Sequence, residues 1–416
     1  MTEKDKNINK VPNKFNNVPK LRFADYQDEW QTARLGDLVD FKTTNSFSRD
    51  NLNYEIGTVK NIHYGDIHTK FQTLFDVKTE NVPFVNEEIN IDRISEDNYC
   101  KEGDVIFADA SEDLNDVGKS IEIVNLNNEK VLSGLHTLLA RPKKNIFQKG
   151  FLGYLLKSNN VRYQIQKESQ GTKVLSINAG RLSNIKISFP ALGEQRNITK
   201  ILSALYLRID CSMKTIENLK SLKSGLSKKI FSQEIRFKDE NGNDFPEWEN
   251  IKFGEMLDYE QPTKYLVSST EYDDSFKIPV VTAGKTFILG YTDETTGIFE
   301  EKKLPVIIFD DFTTASQFVD FPFKAKSSAM KILKAKEKFD TKFMFEALQQ
   351  IKYEIGGHGR HWISVFSEMY VLVPSIPEQQ KIAKFLSAID AKIDVENQIL
   401  QQLEIQKKYF LANLFV

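Results

Sequence analysis

Two segments of the chain carry the residue types that grip nucleic acid. SQGTKVLSINAGRLSNIK (169–186) is punctuated by glycine, basic, and rich in Ser, Thr and Asn; GGHGRHWISVF (356–366) takes the matching place later in the chain, again just ahead of an apolar strand. Glycine lets the backbone come close to a ligand, and Arg, Lys, Asn and Ser supply groups that meet phosphates or base edges. The candidates are Lys173, Ser176, Asn178 and Arg181 in the first segment and His358, Arg360 and His361 in the second. Lys285 in TAGKTF, and His63 with Tyr64 in NIHYGD, are weaker additions. An ordinary connecting loop shares part of this composition; the matched location of the two segments favours a ligand.

Other chemistries lack their signatures. GKT at 284–286 resembles the end of a phosphate-binding loop, but the first glycine of that motif would fall at Pro279. No Pro-Pro occurs, so the Asn/Asp-Pro-Pro-Tyr element with which amino-methyltransferases grip a flipped base is absent. The histidines form no HExxH pattern, which leaves no metal site to propose. Asp310-Asp311, after the run PVIIF, reads as a strand end with a solvated acidic turn before it reads as a cation-binding pair. No residue is nominated as catalytic.

These loops need elements to hold them, and the chain spells those elements twice. GEQRNITKILSALY (193–206) returns as PEQQKIAKFLSAID (377–390). At an offset of 184, Ile198, Leu202, Leu205, Ile209, Ile216, Leu219, Leu226 and Ile230 align with Ile382, Leu386, Ile389, Ile393, Leu400, Leu403, Phe410 and Leu414. The steps of 4, 3, 4, 7, 3, 7 and 4 are an a/d heptad seam, so two long amphipathic helices are expected to pack on each other. The seam breaks at the same places in both copies, at Ser212 and Glu396 and at Lys223 and Lys407. Each helix starts after a strand that ends in proline, and the Glu of its Glu-Gln pair, Glu194 or Glu378, suits the positive helix N-terminus.

A second repeat precedes each helix. EWQTARLGDLVDF (29–41) resembles EWENIKFGEMLDY (247–259), and each is preceded by an Arg-Phe, LRF at 21–23 and IRF at 235–237. Between these frames lie bodies with little in common. Both read as strand-rich mixtures: EGDVIFADA, SIEIVNL, VLSGLHTLLA and SNIKISFP in the first, KIPVVTAG, LPVIIFDDF, SAMKILKA and MYVLVP in the second. One helix is expected in each, at 151–167 and 340–355.

Bulk properties fit this plan. A length of 416 residues suits two or three domains, and 40% hydrophobic residues suit globular folding. No run of about 18 apolar residues is present, and residues 1–18 lack the apolar core of a signal, so no membrane partner and a cytoplasmic location are expected. Two distant cysteines, Cys100 and Cys211, fit a reducing compartment. The net charge of −2 is unremarkable, but its distribution is uneven. Residues 130–186 carry 11 bases against one acid, and residues 321–363 carry nine against four. Such zones suit a phosphate-facing surface or a solvated face.

The ordered set of two frames, two helices and two exit loops (QGTKVLSIN…LSNIKISFP and GRHWISVFSEMYVLVP) resembles the specificity subunit of type I restriction–modification enzymes, from Pro19 to Val416. The resemblance implies an α+β fold: two similar target-recognition domains, strand-rich and globular, separated by two long antiparallel helices that form a coiled coil with a pseudo-two-fold arrangement. The divisions would be a mobile tail (1–18), a first recognition domain (19–190), a central helical region (191–234), a second recognition domain (235–374) and a distal helical region (375–416). Each domain would read one half of a split double-stranded DNA target. The seam from Ile198 to Ile230, 33 residues or about 50 Å, would span roughly 15 base pairs. Each helix would dock one methyltransferase (modification) subunit, and restriction subunits would join that assembly. S-adenosylmethionine, ATP and Mg would sit on those partners and none on this chain. Three rivals stand beside this: a self-contained nuclease or methyltransferase, a coiled-coil scaffold that does not bind DNA, and the specificity subunit of a related, non-type-I system.

Overall fold

A computed structural model of the chain describes residues 17–284, 286–353 and 360–416. They form two compact units: one runs through Cys211 and takes in Ile399–Val416, and the other is Ser212–Gln398. Lys285 and His358 lie outside the described residues.

The first unit opens with β1 (Gln31–Arg34), α1 (Leu35–Leu38) and β2 (Val39–Lys42). There follow β3 (Leu52–Asn53), β4 (Val59–Ile62), α2 (Tyr64–Thr69), β5 (Leu74–Asp76), β6 (Phe84–Val85), β7 (Val105–Ala108), β8 (Ala110–Ser111) and β9 (Ser120–Asn125). The unit continues with β10 (Lys130–Ser133), β11 (Thr137–Pro142), α3 (Phe151–Leu155), α4 (Asn159–Glu168), β12 (Leu175–Ser176), α5 (Ala179–Asn184), β13 (Lys186–Phe189) and the start of α6 (Leu192–Phe231). A five-stranded sheet has the order β2-β11-β7-β9-β5, and a four-stranded sheet the order β10-β4-β6-β3. β1 pairs antiparallel with β13, and β8 with β12.

The second unit repeats this with fewer strands: β14 (Glu249–Lys252), α7 (Phe253–Met256), β15 (Leu257–Glu260), β16 (Ile278–Val281), β17 (Ile288–Thr292), β18 (Val306–Asp310), β19 (Ser316–Val319), β20 (Lys324–Ala325) and β21 (Met330–Ala335). After these come α8 (Thr341–Gln349), α9 (His361–Ser364), β22 (Tyr370–Val373) and α10 (Ile376–Asn413), whose last turns belong to the first unit. Its sheets have the orders β15-β21-β18-β19 and β17-β16-β20, and β14 pairs with β22. The order β2-β11-β7-β9 thus reappears as β15-β21-β18-β19, and the parallel pair β10–β4 reappears as β20–β16. The bodies share a topology that their sequences do not display.

The frame motifs have a packing cause. Gly36, in α1, lies so close to α5 that a Cβ there would sit 2.6 Å from Ser183 Cβ. Gly254, in α7, stands likewise against Ser367, 3.1 Å from its Cβ. Ser183 and Ser367 are equivalent across the 184-residue repeat, so each glycine lets the opening of its unit pack on the exit. Trp30 and Trp248 are buried beside them in the two cores.

Of the seam residues, Ile198, Leu202, Leu205, Ile209, Ile216, Ile230, Ile382, Leu386, Ile389, Ile393 and Leu414 are buried. Leu219, Leu226, Leu400, Leu403 and Phe410 are half-buried. In the first unit the start of α6 joins the end of α10 in one core, through Ile198, Leu202 and Leu414. In the second, Ile230 near the end of α6 packs with Ile382 and Leu386 near the start of α10, so the helices run antiparallel within each unit. The chain then re-enters both units the same way: Leu21 N donates to Asn413 O, and Ile235 N to Lys229 O.

Local differences from the sequence expectation have simple causes. The span 151–167 is two helices, because Ser158 takes an extended conformation and starts α4 afresh. VLSGLHTLLA is two strands in different sheets, turned at Gly134–His136. The helix expected at 340–355 ends at Gln349.

One buried carboxylate couples the first unit to pH. Glu122 accepts from Gly150 N at 2.5 Å and Gly153 N at 2.6 Å at the start of α3. Burial pushes its pKa up to about 7 against these two donors. With the folded value above the unfolded one, the contribution is complete below the unfolded carboxylate range and disappears as pH rises through about 7. Urea unfolding of the first unit should therefore show a loss of about 3 kcal/mol between pH 4 and pH 8. Glu122→Gln should flatten that slope.

Candidate nucleic-acid interface

Each long helix starts at a latch built from the doubled motifs. Glu194, at 1% exposure, takes Arg22 Nε at 2.9 Å and Nη2 at 2.8 Å. Glu378, fully buried, takes Arg236 Nε at 3.3 Å, Arg236 Nη2 at 3.0 Å and Trp248 Nε1 at 3.2 Å. The neighbouring glutamines are wired alike. Gln195 Nε2 donates to Pro190 O and its Oε1 accepts from Gln148 N; Gln379 Nε2 donates to Pro374 O and its Oε1 accepts from Asp340 N. The Glu clamps the lead-in segment and the Gln clamps the exit strand to the body. This fixes each exit loop relative to its helix.

Where the seam breaks, polar groups meet. Ser212 Oγ donates to Glu396 Oε2 at 3.0 Å, joining two positions that are equivalent in the repeat. In the second unit Lys223 Nζ reaches Glu346 Oε1 and Asp390 Oδ1, both at 2.8 Å, and Lys342 closes the cluster on Asp390 Oδ2 at 2.8 Å. Burial works against the Lys223 charge, but the bonds to Asp390 and Glu346 outweigh it and raise the pKa. In the first unit the equivalent slot holds Lys407 over the Tyr206 ring, 5.5 Å from its centroid. The slot is thus closed across the helices by an ion pair in one unit and by a cation–π contact in the other, where Lys407 also pairs with Glu404 of its own helix.

In the first unit the candidate loops converge on Asp109–Ser111. β8 pairs with β12, which places Ser176 opposite Ala110. Ile177 N donates to Asp109 O, Asp109 N donates to His136 O, and His68 Nε2 donates to Ala110 O at 2.9 Å. Tyr64 stands among three imidazoles, with ring centroids 4.6 Å from His63, 5.2 Å from His136 and 6.0 Å from His68. The helix that carries Tyr64 is pinned by buried Asp66, which takes both Arg49 Nη1 and Nη2, at 2.7 and 2.8 Å. Burial pushes the Asp66 carboxyl up, but the bonds from Arg49 and Lys70 hold it below the usual carboxylate range.

Several nominated side chains are occupied with their own loops. His63 is buried and caps α2, its Nδ1 accepting from Gly65 N, and burial holds the imidazole below its ordinary pKa. Asn178 caps α5 by accepting from Arg181 N. Arg181, half-buried, donates to Glu168 O at 2.9 Å. Lys173 and Ser176 are exposed, and Tyr64 is half-buried. In the second unit Arg360 is exposed, whereas His361 is buried with its Nδ1 donating to Asp311 O at 2.8 Å. Asp311 is not the solvated turn residue expected from the sequence: it is 1% exposed and paired with equally buried Lys331 at 3.4 Å.

The basic zones are partly consumed as well. Lys130, Arg141 and Lys149 pair with Glu96, Asp104 and Glu102 of the acidic stretch before them. Lys144, Lys167, Lys173 and Lys186 stay exposed and enter no ion pair among the described residues. Sequence reasoning passed over His136 and Asp109, because a lone histidine in a turn and a lone aspartate at a strand end carry no motif. Among the described residues no three His, Cys, Asp or Glu side chains gather to hold a metal ion, and no helix is long and apolar enough to cross a membrane.

Comparison with known proteins gives a consistent picture. The type I restriction modification DNA specificity domain family matches residues 27–221 and 246–405. The EcoR124I/EcoR124II specificity subunit of Escherichia coli is 44% identical over 175 residues, which is 39% of this chain and 42% of that protein, so this match spans less than half of that relative. A putative MjaX specificity subunit of Methanocaldococcus jannaschii is 26% identical over 95% of both chains. The crystal structure of a type I restriction–modification S subunit from M. genitalium shares the fold, with a TM-score of 0.66 at 17% identity, covering 96% of this chain and 99% of that one. With two matched copies of the domain covering most of its length, each framed by a latch of the same design, this chain belongs to the type I restriction modification DNA specificity domain family.

Proposed function

We propose that this chain is the DNA-specificity subunit of a type I restriction–modification complex and is itself non-catalytic. Each unit reads one half of a bipartite double-stranded target, and the long helices set the spacing. Two methyltransferase subunits dock on the helices and carry S-adenosylmethionine, and restriction subunits with ATP and Mg complete the assembly in the cytoplasm. The observation that supports this most is the doubled latch and strand order around unlike loops. Equivalent frames suit two identical partners, and unlike loops suit two different half-sites. Exposed Lys173, Ser176 and Arg360 remain DNA-contact candidates, together with Tyr64 at the Asp109–Ser111 junction; Lys285 and His358 join them on sequence alone.

The test is to co-express the chain with its cognate methyltransferase subunit and sequence the methylated adenines of a plasmid. The expected result is a split motif, two short half-sites around a fixed unspecified gap. One contiguous motif would defeat the division of labour between the units. No methylation, from a partner shown to be active with another specificity chain, would favour a scaffold.

A further inference from the structure

We infer that His136, held by Asp109, is a base-reading side chain of the first unit, and that its half-site places an exocyclic amino group, adenine N6 or cytosine N4, against it. This rests on the DNA-reading function proposed above. The side chain is presented by a rigid, strained turn. His136 has φ +55°, a left-handed conformation that costs a non-glycine residue energy and persists where the surroundings enforce it. Here the enforcement is visible. Ser133 Oγ and Thr137 Oγ1 lie 2.7 Å apart in a buried contact, and Thr137 Oγ1 donates to Gly134 O at 2.5 Å. Asp109 N holds His136 O at 3.0 Å, and Asp109 Oδ1 faces His136 Nδ1 at 3.1 Å. Asp109 thus grips both the backbone and the ring.

The ring nevertheless stays open to solvent. The His136 side chain is 51% exposed, the Asp109 side chain 27%, and Nε2 has no hydrogen-bond partner among the described residues. The Tyr64 ring meets it in a T-shaped contact, and Ile177, next to Ser176, donates its N–H to the carbonyl of the same Asp109. A turn built only to reverse the chain needs none of this apparatus.

The chemistry follows from the tether. An aspartate carboxylate accepts, so Nδ1 carries the proton, and in the uncharged form of the ring it is the Nε2 lone pair that faces outward. An acceptor at a base edge takes the amino hydrogens of adenine or cytosine. It meets only other acceptors at guanine N7 and O6 or thymine O4. Asp109 is therefore a positioning residue that sets the sign of the readout by fixing the tautomer.

The experiment is the same methylation sequencing on the complete complex with His136→Ala, His136→Asn and Asp109→Ala. With His136→Ala, preference for adenine or cytosine at one position of one half-site should fall about tenfold, with the other half-site and the gap unchanged. His136→Asn tolerates the left-handed backbone and controls for folding; it should retain methylation with altered preference at that same position. Asp109→Ala frees the ring to present Nε2–H and should admit guanine or thymine there. An unchanged motif in His136→Ala, or a uniform loss at every position in both His136 variants, would overturn the assignment. The wild-type motif reports separately on the function proposed above, since a split motif there upholds that function whatever the variants show.

Discussion

Asp311→Ala is expected to destabilise the second unit by about 3–5 kcal/mol, the cost of leaving a buried charge without its partner. Asp311 and Lys331 are each 1% exposed, so water cannot replace the lost carboxylate at the ammonium. The Tyr259 ring, 5.4 Å from Lys331 Nζ, offers only a weak substitute. The same carboxylate accepts from Trp362 N at 2.8 Å, so the start of α9, next to exposed Arg360, loosens with it. Urea unfolding followed through tryptophan fluorescence, to which Trp248 and Trp362 of this unit contribute, measures the effect. The pair Asp311→Ala with Lys331→Met should recover most of the loss, because the desolvated charge goes with its partner. If the double variant is as unstable as the single, the ion pair is not the cause.

Glu378→Ala should cost the same unit about 3 kcal/mol, and more than Glu194→Ala costs the first. Both substitutions strand an arginine, but only Glu378 also satisfies an indole N–H, that of Trp248. Trp30 Nε1, its counterpart, has no hydrogen-bond partner among the described residues. The difference should be about 1.5 kcal/mol, the low end for a hydrogen bond to a charged group. Chemical unfolding of each variant in the full chain checks the ranking. Equal losses would mean that the indole bond contributes nothing.

What was legible in the sequence is what repeats or is periodic. The a/d steps marked the buried face of both helices, and Glu194 and Glu378 marked their starts; the structure adds that each reaches back about 140 to 170 residues to an arginine. The body topology was illegible for a physical reason. Central strands such as β7 and β18 are buried on both faces and show continuous apolar runs, which carry no record of their neighbours. Composition gave no sign that Asn178, His63 and His361 also hold their own loops together. Asp311 looked solvated because Lys331, which neutralises it, lies 20 residues away on another strand.

The polar contacts of the seam also bear on fidelity between molecules in a crowded cell. α6 and α10 open on near-copies and share one apolar seam, so a helix could exchange its proper mate for the same helix of a neighbouring chain. Such a mispairing of α10 with α10 would set Glu396 against Glu396 and lose the Ser212 hydroxyl that now donates to it. Mispairing α6 with α6 would exchange the Asp390 bond of Lys223 for the weaker kind of ring contact that Lys407 makes with Tyr206 in the first unit. The interruptions therefore act as a password that a helix and its own chain share, and which two strangers of the same sequence fail to exchange.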